Sequence, residues 1–138
     1  QVPEAVAVLR KTLEEAPDGS VTVVSVGYAT NLHNLLRSPP DTTSSRSGQD
    51  LVAAKVRMLV LMGGRHAFKK GDEVEWNFAG ATDRASVCGG EPECGSADNL
   101  GRVTNETLEM WPKEDAPIVF LDFETGVHIG TGSVLEAP

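Results

Sequence analysis

Cysteine, histidine, aromatic side chains and positive charge are all scarce in this chain. Its 2 cysteines, Cys88 and Cys94, sit close together in CGGEPEC. Metal-site spacing would be tighter and would need partner ligands. The 3 histidines, His33, His66 and His128, are scattered and show no ligand spacing. A local disulfide closing a glycine-rich loop is the favoured reading of the cysteine pair; two free thiols come next, and zinc last. Lys and Arg number 12 against 20 Asp and Glu, for a net charge of −8. That balance argues against nonspecific binding to nucleic acid or anionic membrane, which needs basic patches. No apolar run approaches the roughly 18 residues of a membrane span, and no signal peptide is visible.

What is present is ordinary globular composition: 138 residues, 40% hydrophobic, with 14 glycines. That length suits about one domain with a buried core. The first residue is Gln1, which suggests a processed chain or part of something longer. An Asn-Glu-Thr sequon starts at Asn105. Together with the cysteine pair it gives a weak lean towards secretion.

Periodicity gives an alternating series of elements. PEAVAVLRKTLEEA (3–16) is an amphipathic helix, with Pro3 suited to its start. VTVVSV (21–26) is β-branched and apolar, the pattern of a parallel strand buried on both faces. Thr30 resembles an N-cap for a helix over 31–37. SPPDTTSSRSGQD (38–50) is a surface loop. LVAAKV is a short helix or helix end, and RMLVLM (57–62) is a second buried strand ending on Gly63 and Gly64. Residues 65–75 form a polar loop leading to Glu75-Trp76-Asn77-Phe78, and 79–97 are irregular. A helix runs from about Val103 to Trp111, where Pro112 stops it. APIVFLDF (116–123) is a third buried strand. The order α-β-α-β-α-β predicts an α/β fold with a mostly parallel open sheet, right-handed crossovers and flanking helices.

Ligands of such sheets bind beyond the carboxyl ends of the strands. Three glycine-bearing loops lie there: GYATN, GGRHAFKKGDEVEWN and ETGVHIGTG. Within the second, Glu75 and Asn77 stand two apart. In an extended chain both would point to one side and Trp76 to the protein.

At these loops the sequence resembles the inosine-uridine-preferring nucleoside hydrolase family. The matching stretches are PDGSVTVVSVGYATNLHNLL, KVRMLVLMGG, EWNF and PIVFLDFETG, in an order and spacing that agree over most of residues 4–136. The resemblance implies a Rossmann-like, nucleoside hydrolase-type sheet and hydrolysis of the N-glycosidic bond of ribonucleosides. It implies a calcium ion that holds ribose hydroxyls and the attacking water. By the same resemblance, Val26 gives calcium its backbone carbonyl, Asn31 belongs to a structural helix start, Met62 lines the ribose pocket, and Glu75 and Asn77 bind ribose hydroxyls.

The departures are equally specific. The aspartate-rich motif that supplies two calcium ligands and the general base has no match; Asp41, Asp50, Asp72 and Asp83 lack its strand and spacing. His128 lies too early to be the leaving-group histidine and reads as a surface residue. Glu124 stands where the family often has Asp, as a pocket residue or a cap. The expectation is therefore a partial domain over 1–138, without catalytic residues of its own. Its reaction would live in the intact parent, a non-catalytic sugar-binding relative being the alternative. The apolar edge of such a partial sheet needs cover from a partner chain, a homo-oligomer or further segments.

Overall fold

A computed structural model describes residues 4–65, 75–79, 97–122 and 124–125. The elements are α1 (Ala5–Glu15), β1 (Val21–Ser25), α2 (Thr30–Leu36), α3 (Gly48–Lys55), β2 (Val56–Met62), α4 (Trp76–Ala79), α5 (Ala97–Met110) and β3 (Ile118–Leu121). The strands form one parallel sheet in the order β1-β2-β3. Alternation of strands with helices thus yields the α/β architecture that periodicity predicts.

β2 is central because it is the longest apolar strand. Val56, Leu59 and Leu61 are each 1% exposed or less. They pack with Leu32, Leu35, Leu36, Leu51, Val52 and Trp111 from the helical layer and the chain leading into β3. Both crossovers step the same way across the sheet. With right-handed connections, both put their helices on one face.

The expectation that the strands are buried on both faces needs correction. The register pairs Val24 with Val60, Val60 with Val119 and Met62 with Leu121. Alternation puts these residues on the face opposite Leu59 and Leu61. Val24 is 61% exposed, Val119 42% and Leu121 40%. Among the described residues that face stays largely open, with Asn77 reaching Met62 at its carboxyl end. Uniformly apolar strands signal a sheet built for two-sided cover, and here only one cover is in view.

The start of β2 carries a bulge. Val21 pairs with Val56, but Thr22 pairs with Met58, so Arg57 is the extra residue. An extra residue shifts the alternation by one. Exposed Arg57 can therefore donate to the Thr22 hydroxyl at 3.2 Å, while Val56 and Leu59 both reach the core. The shift occurs where α3 runs into β2 without an intervening loop.

Helix limits follow local chemistry. Ser47 caps α3, its hydroxyl accepting from the Asp50 amide at 3.2 Å. α2 starts at Thr30 itself, with Ala29 at the cap position, so Thr30 is not the cap. α5 starts at Ala97, earlier than the expected Val103. Gly48 lies so close to α2 that a Cβ there would sit 1.7 Å from the Leu35 carbonyl oxygen.

The Ser/Pro-rich loop is fixed from beneath by Arg10, which is 1% exposed. Its guanidinium donates to both Asp41 carboxylate oxygens (2.8 and 3.0 Å), to Ser38 Oγ (2.9 Å), and to the carbonyls of Ser44 (3.1 Å) and Arg46 (3.0 Å). A planar fork satisfies that many acceptors where a lysine would not. The Arg10 hydrogen bonds, with the Ser44 and Thr43 amides, hold Asp41 down to about 2.

Candidate functional site at the carboxyl end of the sheet

The register brings the predicted residues to one edge. Ser25 pairs with Leu61 and Leu121 with Met62, which sets Val26 level with Met62 and Asp122 just beyond. Gly63 extends the ladder, its amide donating to the Leu121 carbonyl at 2.9 Å. From there the chain returns at Glu75.

Glu75 and Asn77 are not in extended chain. Asn77 lies in α4, a single turn over Trp76–Ala79, and Glu75 precedes that turn. The Glu75 carboxylate behaves as an N-cap. Oε1 accepts from the Asn77 amide at 2.9 Å, and Oε2 from the Phe78 amide at 3.1 Å. Oε2 also accepts from the Gly64 amide at 2.8 Å. Three of the amides that a helix start and a strand end leave unpaired are thereby satisfied. Trp76, expected to face the protein, is 51% exposed; Phe78 takes the inward position instead.

Both predicted side chains nevertheless turn towards β2. The Asn77 amide nitrogen donates to the Met62 carbonyl at 3.2 Å and contacts Met62 Sδ at 3.0 Å. A carbonyl only accepts, so this pairing fixes the amide orientation and leaves Asn77 Oδ1 as an acceptor. Each carboxylate oxygen can accept two hydrogen bonds. Glu75 Oε1, with one partner among the described residues, retains capacity for another. Met62, Glu75 and Asn77 therefore form one contact group offering two acceptors, Glu75 Oε1 and Asn77 Oδ1.

Gly63 and Gly64 have a different occupant from the one their position suggests. A Cβ on Gly63 would lie 2.4 Å from Phe78 Cε1, and one on Gly64 3.2 Å from Phe78 Cε2; Gly64 also has φ +81. The ring of Phe78 presses on this backbone, and the glycines make room for it. Phe78 packs edge-to-face on Phe120, with centroids 6.2 Å apart. Its carbonyl accepts from Thr104 Oγ1 on α5 at 2.9 Å. One residue thus ties α4 to β2, β3 and α5.

The calcium expectation can be tested against the donors in view. Among the described residues no group of three or more His, Cys, Asp or Glu side chains is placed to hold a metal ion. Calcium takes six to eight oxygens. Three backbone amides engage Glu75, and Asp122 Oδ1 accepts from both the amide and hydroxyl of Thr125 (2.8 and 2.5 Å). Half-buried Glu124 lies in a helical turn after β3. The Val26 carbonyl with these groups does not compose a calcium site.

Two polar clusters lie outside the residues that the sequence singles out. One is Arg10 with its loop. The other joins α2 to α5: His33, 8% exposed, places Nε2 2.8 Å from Glu106 Oε2. Arg102 Nη1 donates to Glu106 Oε1 at 2.6 Å. The His33 hydrogen bond, then that of Arg102, lowers the Glu106 pKa. The signal was available in NLHNLL, where His33 falls among leucines on an apolar helix face. Asn105 of the sequon is on α5 and donates to Glu109 at 2.8 Å, while Thr107 is buried. Cys88, Cys94, His66, His128, Asp72 and Asp83 lie outside the described residues. No helix among the described residues is long and apolar enough to cross a membrane.

No protein-family model, curated protein or solved structure matches this chain.

Proposed function

We propose that this chain carries the ribose-holding part of an N-glycosyl hydrolase. The enzyme would split ribonucleosides into ribose and free base, and the reaction would be that of the intact protein. The observation that supports this most is the convergence of Met62, Glu75 and Asn77 at the carboxyl end of the central parallel strand, where α/β folds bind ligands. Sugar hydroxyls are donors that suit the two acceptors, Glu75 Oε1 and Asn77 Oδ1. Positive charge develops on the ribosyl ring as the glycosidic bond breaks. A fixed carboxylate and amide dipole nearby favour that charge without reorganising. Calcium belongs to the resemblance, but the described donors do not fit it, so no step is routed through the ion.

A second reading is a sugar- or nucleoside-binding protein without turnover. The engagement of Glu75 with three backbone amides favours it, because it fixes the carboxylate in place, as suits the holding of hydroxyls. The deciding experiment is ribose release from inosine and uridine, with added calcium, by the protein carrying this chain in its native flanking sequence. Turnover supports the hydrolase. Nucleoside binding that is independent of calcium and without turnover supports the second reading.

A further inference from the structure

We propose that Asp18-Gly19 is a site of spontaneous backbone modification, succinimide formation followed by isoaspartate, which Lys55 and the Ala54 carbonyl hold closed in the folded chain. The reaction needs no enzyme. The Gly19 backbone nitrogen attacks Asp18 Cγ and gives up its proton as the N–Cγ bond forms. The Cγ–OH bond of the protonated carboxyl breaks, and the hydroxyl leaves with that proton as water. Water then opens the cyclic imide at one of its two carbonyls. One opening restores aspartate. The other leaves isoaspartate, whose main chain runs through Cβ.

A glycine after the aspartate leaves the attacking nitrogen without a neighbouring side chain to shield it. Asp18-Gly19 is the only Asp-Gly or Asn-Gly pair in the 138 residues. Both residues are exposed, in the turn between α1 and β1. Gly19 has φ +60, and the space that a Cβ there would take is empty. Only glycine adopts that backbone without steric cost, so the turn itself calls for the reactive pair.

The fold opposes both halves of the step. The Gly19 amide donates to the Ala54 carbonyl at 2.9 Å, which holds the proton that the nitrogen must lose. Lys55 Nζ lies 2.8 Å from Asp18 Oδ1 and also donates to the Ala16 carbonyl at 2.8 Å. An ammonium group favours the carboxylate over the acid, and the Lys55 hydrogen bond lowers the Asp18 pKa. The carboxylate is the unreactive form, because it has no hydroxyl to expel. Lys55 is 8% exposed, so packing keeps its ammonium group in place. Ala54 and Lys55 end α3, which runs straight into β2. The last turn of α3 is therefore a clamp on the reactive turn, and reaction proceeds when the clamp opens locally.

The test is prolonged incubation at neutral pH of the protein carrying this chain in its native flanking sequence. Peptide mapping with electron-transfer fragmentation, which tells isoaspartate from aspartate at equal mass, then reads position 18. Isoaspartate is expected there several-fold faster in guanidinium chloride than in the folded protein. Lys55→Met, shown by circular dichroism to be folded, should speed its formation several-fold over the parent. Lys55→Arg, which keeps charge and donors, should stay near the parent rate, and Asp18→Glu should abolish the product. The folded and denatured parent compared with each other decide the matter even where Lys55→Met does not fold. No isoaspartate at position 18 in denaturant, equal rates in the folded and denatured parent, or a folded Lys55→Met protein no faster than the parent would overturn the assignment.

Discussion

Phe78 decides the shape of the candidate site, and the glycines opposite it are its complement. Gly63→Ala would drive a methyl group into the Phe78 ring. Overpacking of this kind costs about 1–3 kcal/mol, which chemical denaturation would show as a lower midpoint. Phe78→Leu in the same chain should recover part of the loss; strictly additive losses would mean that the two residues do not meet. Glu75→Ala removes acceptors for three amides and should cost about 1–2 kcal/mol, the range of a lost N-cap. At this scale the sequence was legible in part. Met-Gly-Gly and Glu-Trp-Asn do come together in space, Asn77 bonding Met62 and Glu75 the Gly64 amide. The local conformation was not legible. Two residues cannot announce whether they share a face by strand alternation or by capping a single helical turn. The missing information is Phe78, whose demand for space against Gly63 and Gly64 is a tertiary fact.

Elements here are tied by charge-assisted hydrogen bonds across the helical layer, and these carry a pH signature. Asp41 is held at about 2 against an ordinary 3.8, chiefly by Arg10. Glu106 is lowered by His33 and Arg102, Glu14 mainly by the Ser44 hydroxyl, and Asp18 by Lys55. A depressed carboxylate contributes stability above its unfolded pKa and loses it as pH falls through the folded value. Thermal stability should therefore hold from neutrality down to the ordinary carboxylate range and decline from there towards about pH 2. Arg10→Met should flatten the part due to Asp41 and open the 38–47 loop to protease; melts with unchanged pH dependence would count against the anchor. These ties explain which elements the sequence disclosed. Strands and helices with a regular apolar period lie within a few residues of their expected limits, except the start of α5, which is at Ala97 and not Val103. α3 read only as a short helix because its cap, Ser47, sits inside a Ser/Pro-rich run, and α4 was missed because one turn has no period.

At the scale of the whole molecule, the described residues form a three-stranded parallel sheet with helices packed on one face. The apolar composition of β1 and β3 made a parallel sheet legible. That same composition predicts burial on both faces, because a run of valines does not say whether a second layer packs on the sheet. Val24, Val119 and Leu121 remain open to solvent. On the proposed function, the 138 residues alone should release no ribose from inosine or uridine even with calcium, since no aspartate-rich strand end occurs among them. Turnover by this chain alone would show that its own residues suffice. The central claim is that Asn77 and Glu75 hold ribose at the end of β2. Its most direct test is ribose release by the protein in its native flanking sequence, compared with the Asn77→Ala variant shown by circular dichroism to be folded. The account predicts turnover reduced by about 10²-fold or more, the scale for losing one preorganised partner of a charge-developing transition state. A folded Asn77→Ala protein that works as fast as the parent would contradict it.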